Sequence, residues 1–264
     1  MLRDWRRASR LFEDACDGGE GEGCVRLARL HVDASAQRRG VPLDSALAVE
    51  LMDRGCGLGA LVGCVELADM YAEADSVVPD VEPTGPLQDW GRAAVLYGKA
   101  CDGGYLDGCV SLGGLYRDGS GVDRDPERAV LLFRRACDGA AALGCARLGE
   151  AYVAGSGVAQ DPAHGAELFE KSCETEMVGC FDLAQLLVEG VTAPDDYARA
   201  VELFEKACRG TGEGSEGAPP LAESCFRLGE LYANGTGVDR DVYQAGRYFR
   251  RACRLGYSEA CRRS

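Results

Sequence analysis

The chain has 264 residues, 43 Asp and Glu against 29 Lys and Arg, a formal net charge of −14, and 14 cysteines. No run of 18 apolar residues is present, which excludes a membrane-spanning helix, and the acidic balance excludes the basic footprint that nucleic-acid binding requires. Solvation of a long surface is the plain reading of that charge, and a basic partner is the sharper one.

In chain order, residues 1–34 read as a first helix pair, entered abruptly at Asp4-Trp5, with Cys16 and Cys24 inside it. Residues 43–74 form the second pair, around Cys56 and Cys64. The segment Ser76–Pro86 then breaks the pattern as a Pro-rich surface loop, and Asp89-Trp90 reopens it. Residues 88–117, 126–154 and 162–189 are the most regular units, with Cys101 and Cys109, Cys137 and Cys145, and Cys173 and Cys180. In residues 195–234 a Gly- and Pro-rich insertion, Gly210–Pro220, separates Cys208 from Cys225, and it is expected to be mobile. Residues 241–264, with Cys253 and Cys261, are a last unit cut short. Residues 1–264 are thus expected to form one elongated domain of seven helix hairpins.

The first cysteines of successive pairs are 40, 45, 36, 36, 35 and 45 residues apart, a period that marks a helical solenoid. Before the first cysteine, Ala129, Phe133, Ala136 and Cys137 fall on one helical face. After the second comes Cys-x-x-Leu-Gly-x-x-Tyr, as in Cys145, Leu148, Gly149 and Tyr152 and in Cys225, Leu228, Gly229 and Tyr232. The recurring Gly, costly in a helix interior by about 1 kcal/mol, predicts close approach of a neighbouring helix. Gly119, Gly155 and Gly235 fit left-handed helix ends, and Asp125-Pro126 and Asp161-Pro162 fit an N-cap followed by Pro in the first turn.

Fourteen cysteines in seven regular pairs suggest disulfides and an oxidising compartment. Residues flanking the turn of an antiparallel hairpin come within disulfide reach, and closing such a loop of about nine residues contributes roughly 2–3 kcal/mol. Reduced cysteines at a tight helix crossing are the competing reading. Metal binding is disfavoured because there is no Cys-x-x-Cys and the two histidines, His31 and His164, lie far apart. No metal and no cofactor are expected.

The repeat Ala-x-x-x-(Phe/Tyr)-x-x-Ala-Cys-Asp-x-Gly-x-x-x-x-Gly-Cys-x-x-Leu-Gly-x-x-Tyr resembles the Sel1-like repeat, a relative of the tetratricopeptide repeat. The variant with cysteines eight apart is similar to the Helicobacter cysteine-rich protein family and to the mitochondrial cytochrome c oxidase assembly factors built from the same repeat. The resemblance covers nearly the whole chain and departs at Cys208–Cys225 and at both ends. It implies an all-α fold, a right-handed α/α solenoid of about seven hairpins wound as a tetratricopeptide-like superhelix. The cysteine-rich relatives imply secreted or periplasmic, disulfide-stapled proteins, some with penicillin binding and weak β-lactamase activity. The mitochondrial relatives imply a role in respiratory-chain assembly.

A serine β-lactamase needs Ser-x-x-Lys and Lys-(Ser/Thr)-Gly, and none of Lys99, Lys171 and Lys206 follows a serine by three. A cysteine nucleophile needs a free thiol beside a base, which pairing would consume. His31 and His164 read as surface or helix-end residues, and Asn234 as a helix cap. Arg134-Arg135 and Arg250-Arg251 occupy matching positions before their cysteines. Solvation or pairing with Glu is the plain reading, and contact with a partner's carboxylate in a concave groove is the sharper one.

The leading function is therefore a monomeric protein- or peptide-binding scaffold. The alternative is a weak β-lactamase or penicillin-binding hydrolase, with a β-lactam or peptidoglycan fragment as ligand and no nameable catalytic residue. A redox-linked assembly factor, which needs exchangeable cysteine pairs, is a third. Cysteine pairing points to a periplasmic or secreted location, whereas Met1 opens directly into helix without a signal peptide, as a cytoplasmic protein would. The expectation is that upstream sequence supplies another helix or a signal.

Overall fold

The structure, a computed structural model, describes residues 5–37, 41–72, 88–176, 178–190, 196–209 and 219–263. The Pro-rich segment 76–86 and the insertion up to residue 218 lie outside the described residues. Every regular element among the described residues is an α-helix. None of these helices is long and apolar enough to cross a membrane.

The chain divides into two compact units, Met1–Leu132 and Phe133–Ser264. The first contains α1 (Trp5–Asp17), α2 (Gly21–Val32), α3 (Ala34–Gln37), α4 (Ser45–Gly57), α5 (Leu61–Ala72), α6 (Trp90–Asp102), α7 (Leu106–Asp118) and the start of α8 (Pro126–Asp138). The second contains the rest of α8, α9 (Ala142–Ala154), α10 (Pro162–Glu176), α11 (Cys180–Val188), α12 (Tyr197–Arg209), α13 (Pro219–Asn234), α14 (Val242–Arg254) and α15 (Ser258–Cys261). Within each unit, hairpins stack in chain order as in an α/α solenoid. The one-turn α3 follows the first hairpin and was not anticipated. Its start is set by Asp33, whose carboxylate accepts from the Ser35 amide at 2.6 Å and the Ser35 hydroxyl at 2.9 Å.

The helix ends follow from the sequence. Asp44, Asp89, Asp125, Asp161 and Asp241 precede first helices, and each carboxylate accepts an amide of the first turn. The amide of each same Asp donates to the carbonyl of the residue at the repeat's Tyr position. Those carbonyls belong to His31, Tyr71, Tyr116, Tyr152 and Tyr232. One Asp therefore ties the end of a second helix to the start of the next first helix. His31 takes the Tyr place in the first repeat. It is a helix-end residue, as expected, but it is buried, with Nδ1 3.0 Å from the Pro42 carbonyl. Gly119, Gly155 and Gly235 close their helices in the left-handed region, at φ of 78°, 67° and 73°.

The predicted close approach is present at Gly149 and Gly229. A Cβ built on Gly149 would lie 2.8 Å from the Phe169 ring, and one on Gly229 would lie 2.6 Å from the Phe249 ring. A second helix thus accepts the aromatic ring of the next first helix into the space a side chain would fill. The cores reflect this economy of size. In the first unit they are built from Cys24, Ala28, Ala48, Met52 and Leu67, and from Ala68, Ala93, Tyr97 and Ala100. In the second unit Phe169, Leu183, Phe204 and Leu228 form one cluster, and Phe226, Phe249 and Ala252 another. Each fully buried large side chain contributes about 1.5–3 kcal/mol.

Candidate functional site

The cysteines meet across each hairpin turn. The bonded pairs are Cys16–Cys24, Cys56–Cys64, Cys101–Cys109, Cys137–Cys145, Cys173–Cys180, Cys208–Cys225 and Cys253–Cys261, with Cα atoms 4.4–4.8 Å apart. No free cysteine remains among the described residues, so none offers a thiolate nucleophile. Both members of the first six pairs are buried, whereas Cys261 is exposed and Cys253 half-buried. No group of three or more His, Cys, Asp or Glu that could hold a metal occurs among the described residues. Ser172, buried next to Lys171, has its hydroxyl engaged, donating to the Ala142 carbonyl at 2.8 Å and accepting from the Gly179 amide at 3.2 Å.

In four of the repeats a basic side chain two residues before the first cysteine reaches back to the preceding first helix. The last carbonyls of a helix have no partner inside it, and a cation there also meets the negative end of the helix dipole. Arg54 donates to the Cys16 carbonyl at 3.1 Å, Lys171 to that of Cys137 at 3.2 Å, and Lys206 to that of Cys173 at 2.8 Å. Arg251 occupies the same repeat position and donates to the Arg209 carbonyl, the last of α12, at 3.2 Å.

The four arginines singled out by position have different surroundings. Arg134, on α8, donates to the Tyr152 hydroxyl at 3.1 Å, while its neighbour Arg135 is exposed. Arg250 and Arg251, on α14, line a cleft of about 570 Å³ between α12 and α14. Arg247 and Arg254, which position alone did not single out, extend that lining along α14, and Arg209 joins it from α12. The signal was available: Val242–Arg254 holds four arginines and no Asp or Glu. Like charges three and four apart on a helix cost about 0.2–0.5 kcal/mol per pair, so α14 carries this cluster at some expense. Asn234, expected as a cap, is the last residue of α13 and lines a second cleft of about 430 Å³ with Gln185 and Tyr197.

Among the described residues one carboxylate, Glu205, lines the basic cleft, and it is already engaged. It accepts from the Tyr248 hydroxyl at 3.3 Å, the Tyr232 hydroxyl at 3.4 Å and Arg209 at 2.9 Å. Burial, then the Glu205 charge, pushes the Tyr248 phenol up to about 12, and the same causes raise Tyr232. Both phenols therefore keep their protons and remain donors to Glu205. Arg247 donates to the neutral Gln244 side chain at 3.2 Å. Neither Arg250 nor Arg254 has a hydrogen-bond or ion-pair partner among the described residues.

The family model for the Sel1 repeat matches residues 106–140, 142–174, 178–211 and 222–257, together just over half of the chain. The chain belongs to the Sel1-repeat family. Among curated proteins, this Sel1-repeat chain is 27% identical over 89 residues to cytochrome c oxidase assembly factor 7 of Xenopus tropicalis, covering 34% of this chain and 37% of that one. It therefore matches only about a third of that relative's length. Among solved structures, a protective antigen present in uropathogenic Escherichia coli strains, displaying an SLR fold, aligns with a TM-score of 0.71 at 24% identity. That alignment covers 98% of this chain and 51% of the antigen. A Sel1 repeat protein from Oxalobacter formigenes aligns with a TM-score of 0.72 at 20% identity, over 88% and 87% of the two chains. At these identities the structures speak for the Sel1-repeat fold alone.

Proposed function

We propose that this Sel1-repeat chain is a protein-binding scaffold that works in an oxidising, extracytoplasmic compartment and receives partners on the exposed sides of first helices within each unit. The observation that carries this reading is where apolar surface is left uncovered. Leu11, Val95, Leu131, Val242 and Tyr243, the five most exposed large apolar side chains among the described residues, all lie on first helices, namely α1, α6, α8 and α14. The opposite sides of these helices are closed into the hairpins by packing and disulfides. Val242 and Tyr243, adjacent on the arginine-bearing α14, set uncovered apolar surface beside charge, as binding surfaces do. The chain is read as a monomer whose partner is a protein or peptide.

The relative named as a cytochrome c oxidase assembly factor matches over too little of its length to supply a client. It supports a shared repeat. The β-lactam-hydrolase alternative draws no support from Ser172, Lys171 or Lys206, whose polar atoms are engaged in holding helices together.

Panning the folded, oxidised chain against a displayed peptide library tests the scaffold reading. Recovered peptides that share a consensus and compete with one another are expected. Failure to enrich any peptide, alongside nitrocefin hydrolysis above that of an equally acidic control protein, would replace the scaffold by the hydrolase. Alkylation before and after reduction, read by intact mass, tests the compartment: fourteen adducts only after reductant are expected.

A further inference from the structure

Resting on the scaffold reading, we infer that the cleft between α12 and α14 binds an extended acidic segment of a partner protein, one with Asp or Glu at alternate positions. The first argument is charge. In a chain of net charge −14, four arginines of α14 and Arg209 converge on one cleft. The single lining carboxylate among the described residues is held by two phenols and Arg209, so the described residues do not neutralise the rest. Arg250 and Arg254 are exposed and unmatched among the described residues. Guanidinium groups recognise carboxylates through paired, directional hydrogen bonds, and clusters of them are what acidic segments bind.

The second argument is spacing. Arg247 and Arg251 form one row along α14, and Arg250 and Arg254 form another, each four residues apart. Four residues of helix rise about 6 Å. Alternate side chains of an extended chain are separated by about 6.6 Å and point the same way. A peptide laid along α14 therefore brings successive carboxylates level with successive guanidiniums if they recur at every second residue. The cleft, at about 570 Å³, holds several side chains rather than one ion. Exposed Tyr243 beside it offers an aromatic face to the intervening residues.

The test is fluorescence anisotropy with the oxidised full chain and three fluorescein-labelled peptides of equal length. One alternates Glu with Ala, one alternates Gln with Ala, and one carries the same number of Glu in a single block. The alternating Glu peptide should bind at least tenfold tighter than the Gln peptide and measurably tighter than the block. Its affinity should fall as salt rises. Arg250→Gln/Arg254→Gln should weaken it about tenfold, with unchanged circular dichroism, while Arg147→Gln on α9 should leave it unchanged. If the double variant does not fold, Arg254→Gln alone should still lower affinity severalfold. Binding that ignores both peptide charge and these variants overturns the inference. So does wild-type self-association in sedimentation that the double variant abolishes, since a second copy would then be the occupant. Library peptides that lack acidic residues and bind the double variant normally would remove this inference and leave the scaffold standing. A library that yields no peptide removes the scaffold.

Discussion

Lys206 Nζ lies 2.8 Å from the carbonyl oxygen of Cys173, spanning from one first helix to the end of the one before it. Because that carbonyl belongs to the last turn of α10, the ammonium satisfies an acceptor the helix cannot. Lys206→Met keeps the stem and removes the donor. It should lower stability by about 1 kcal/mol in urea unfolding of the oxidised chain, and Lys206→Arg should restore most of it. Equal stability of the Met variant would show the contact to be incidental.

Gly149 tests the packing of α9 on α10. A methyl group there would press on the Phe169 ring at 2.8 Å and on the Gly165 carbonyl at 3.0 Å. Backbone cannot yield as a flexible side chain can, so Gly149→Ala should destabilise by about 1–3 kcal/mol, outweighing its gain in helix propensity. Thermal unfolding by circular dichroism reads this directly. Unchanged melting would mean the two helices separate at little cost.

The turns offer an improvement. Gly19, Gly59, Gly104 and Gly256 occupy the left-handed region just after their first cysteines, with φ between 90° and 95°, and Ala140 stands at the same repeat position with φ 68°. A Cβ in that region costs about 1–2 kcal/mol, and Gly gives back about 0.4–1 kcal/mol through the unfolded chain. Ala140→Gly should therefore raise stability by about 0.5–1 kcal/mol, measurable as a higher denaturation midpoint with an unchanged slope.

Asp182 gives stability a pH dependence. Burial, reinforced by the charge of Glu150 and opposed by Arg147, raises its carboxyl to about 6. The unfolded chain releases that proton near pH 4, so between about pH 4 and 6 the folded state binds more protons than the unfolded one. Its contribution to stability therefore falls as pH rises through that window. Asp182→Asn should flatten this part of the profile and raise stability at pH 7 by an amount on the order of 1–2 kcal/mol. Parallel profiles for the two proteins would show that Asp182 titrates as an ordinary surface carboxylate.

The helix hairpins were legible in the sequence because each of their signals is local: the apolar spacing before Cys137, the cap at Asp161, the glycine at position 149. The cleft was legible only in part. Matching Arg134 with Arg250, and Arg135 with Arg251, used repeat position, which fixes where on a helix a side chain stands and not what faces it. Arg134 faces a tyrosine hydroxyl, whereas Arg250 faces a cleft shared with α12. The net charge of −14 averages over the chain and so could not point to α14, a helix with four arginines and no acid. The small α3 was missed because it is a single turn started by Asp33 and continues no apolar period.

The disulfides join residues only 7, 8 or 17 positions apart, and no bridge spans another. This makes oxidation a sequence of neighbourly events. As the chain emerges from a ribosome or a translocation pore, each cysteine meets its partner before the cysteines of the next hairpin arrive. Low contact order of this kind favours fast local closure over long-range search. Correct pairing then becomes a matter of timing, and the chain can mature from its first hairpin onward with little call on an isomerase.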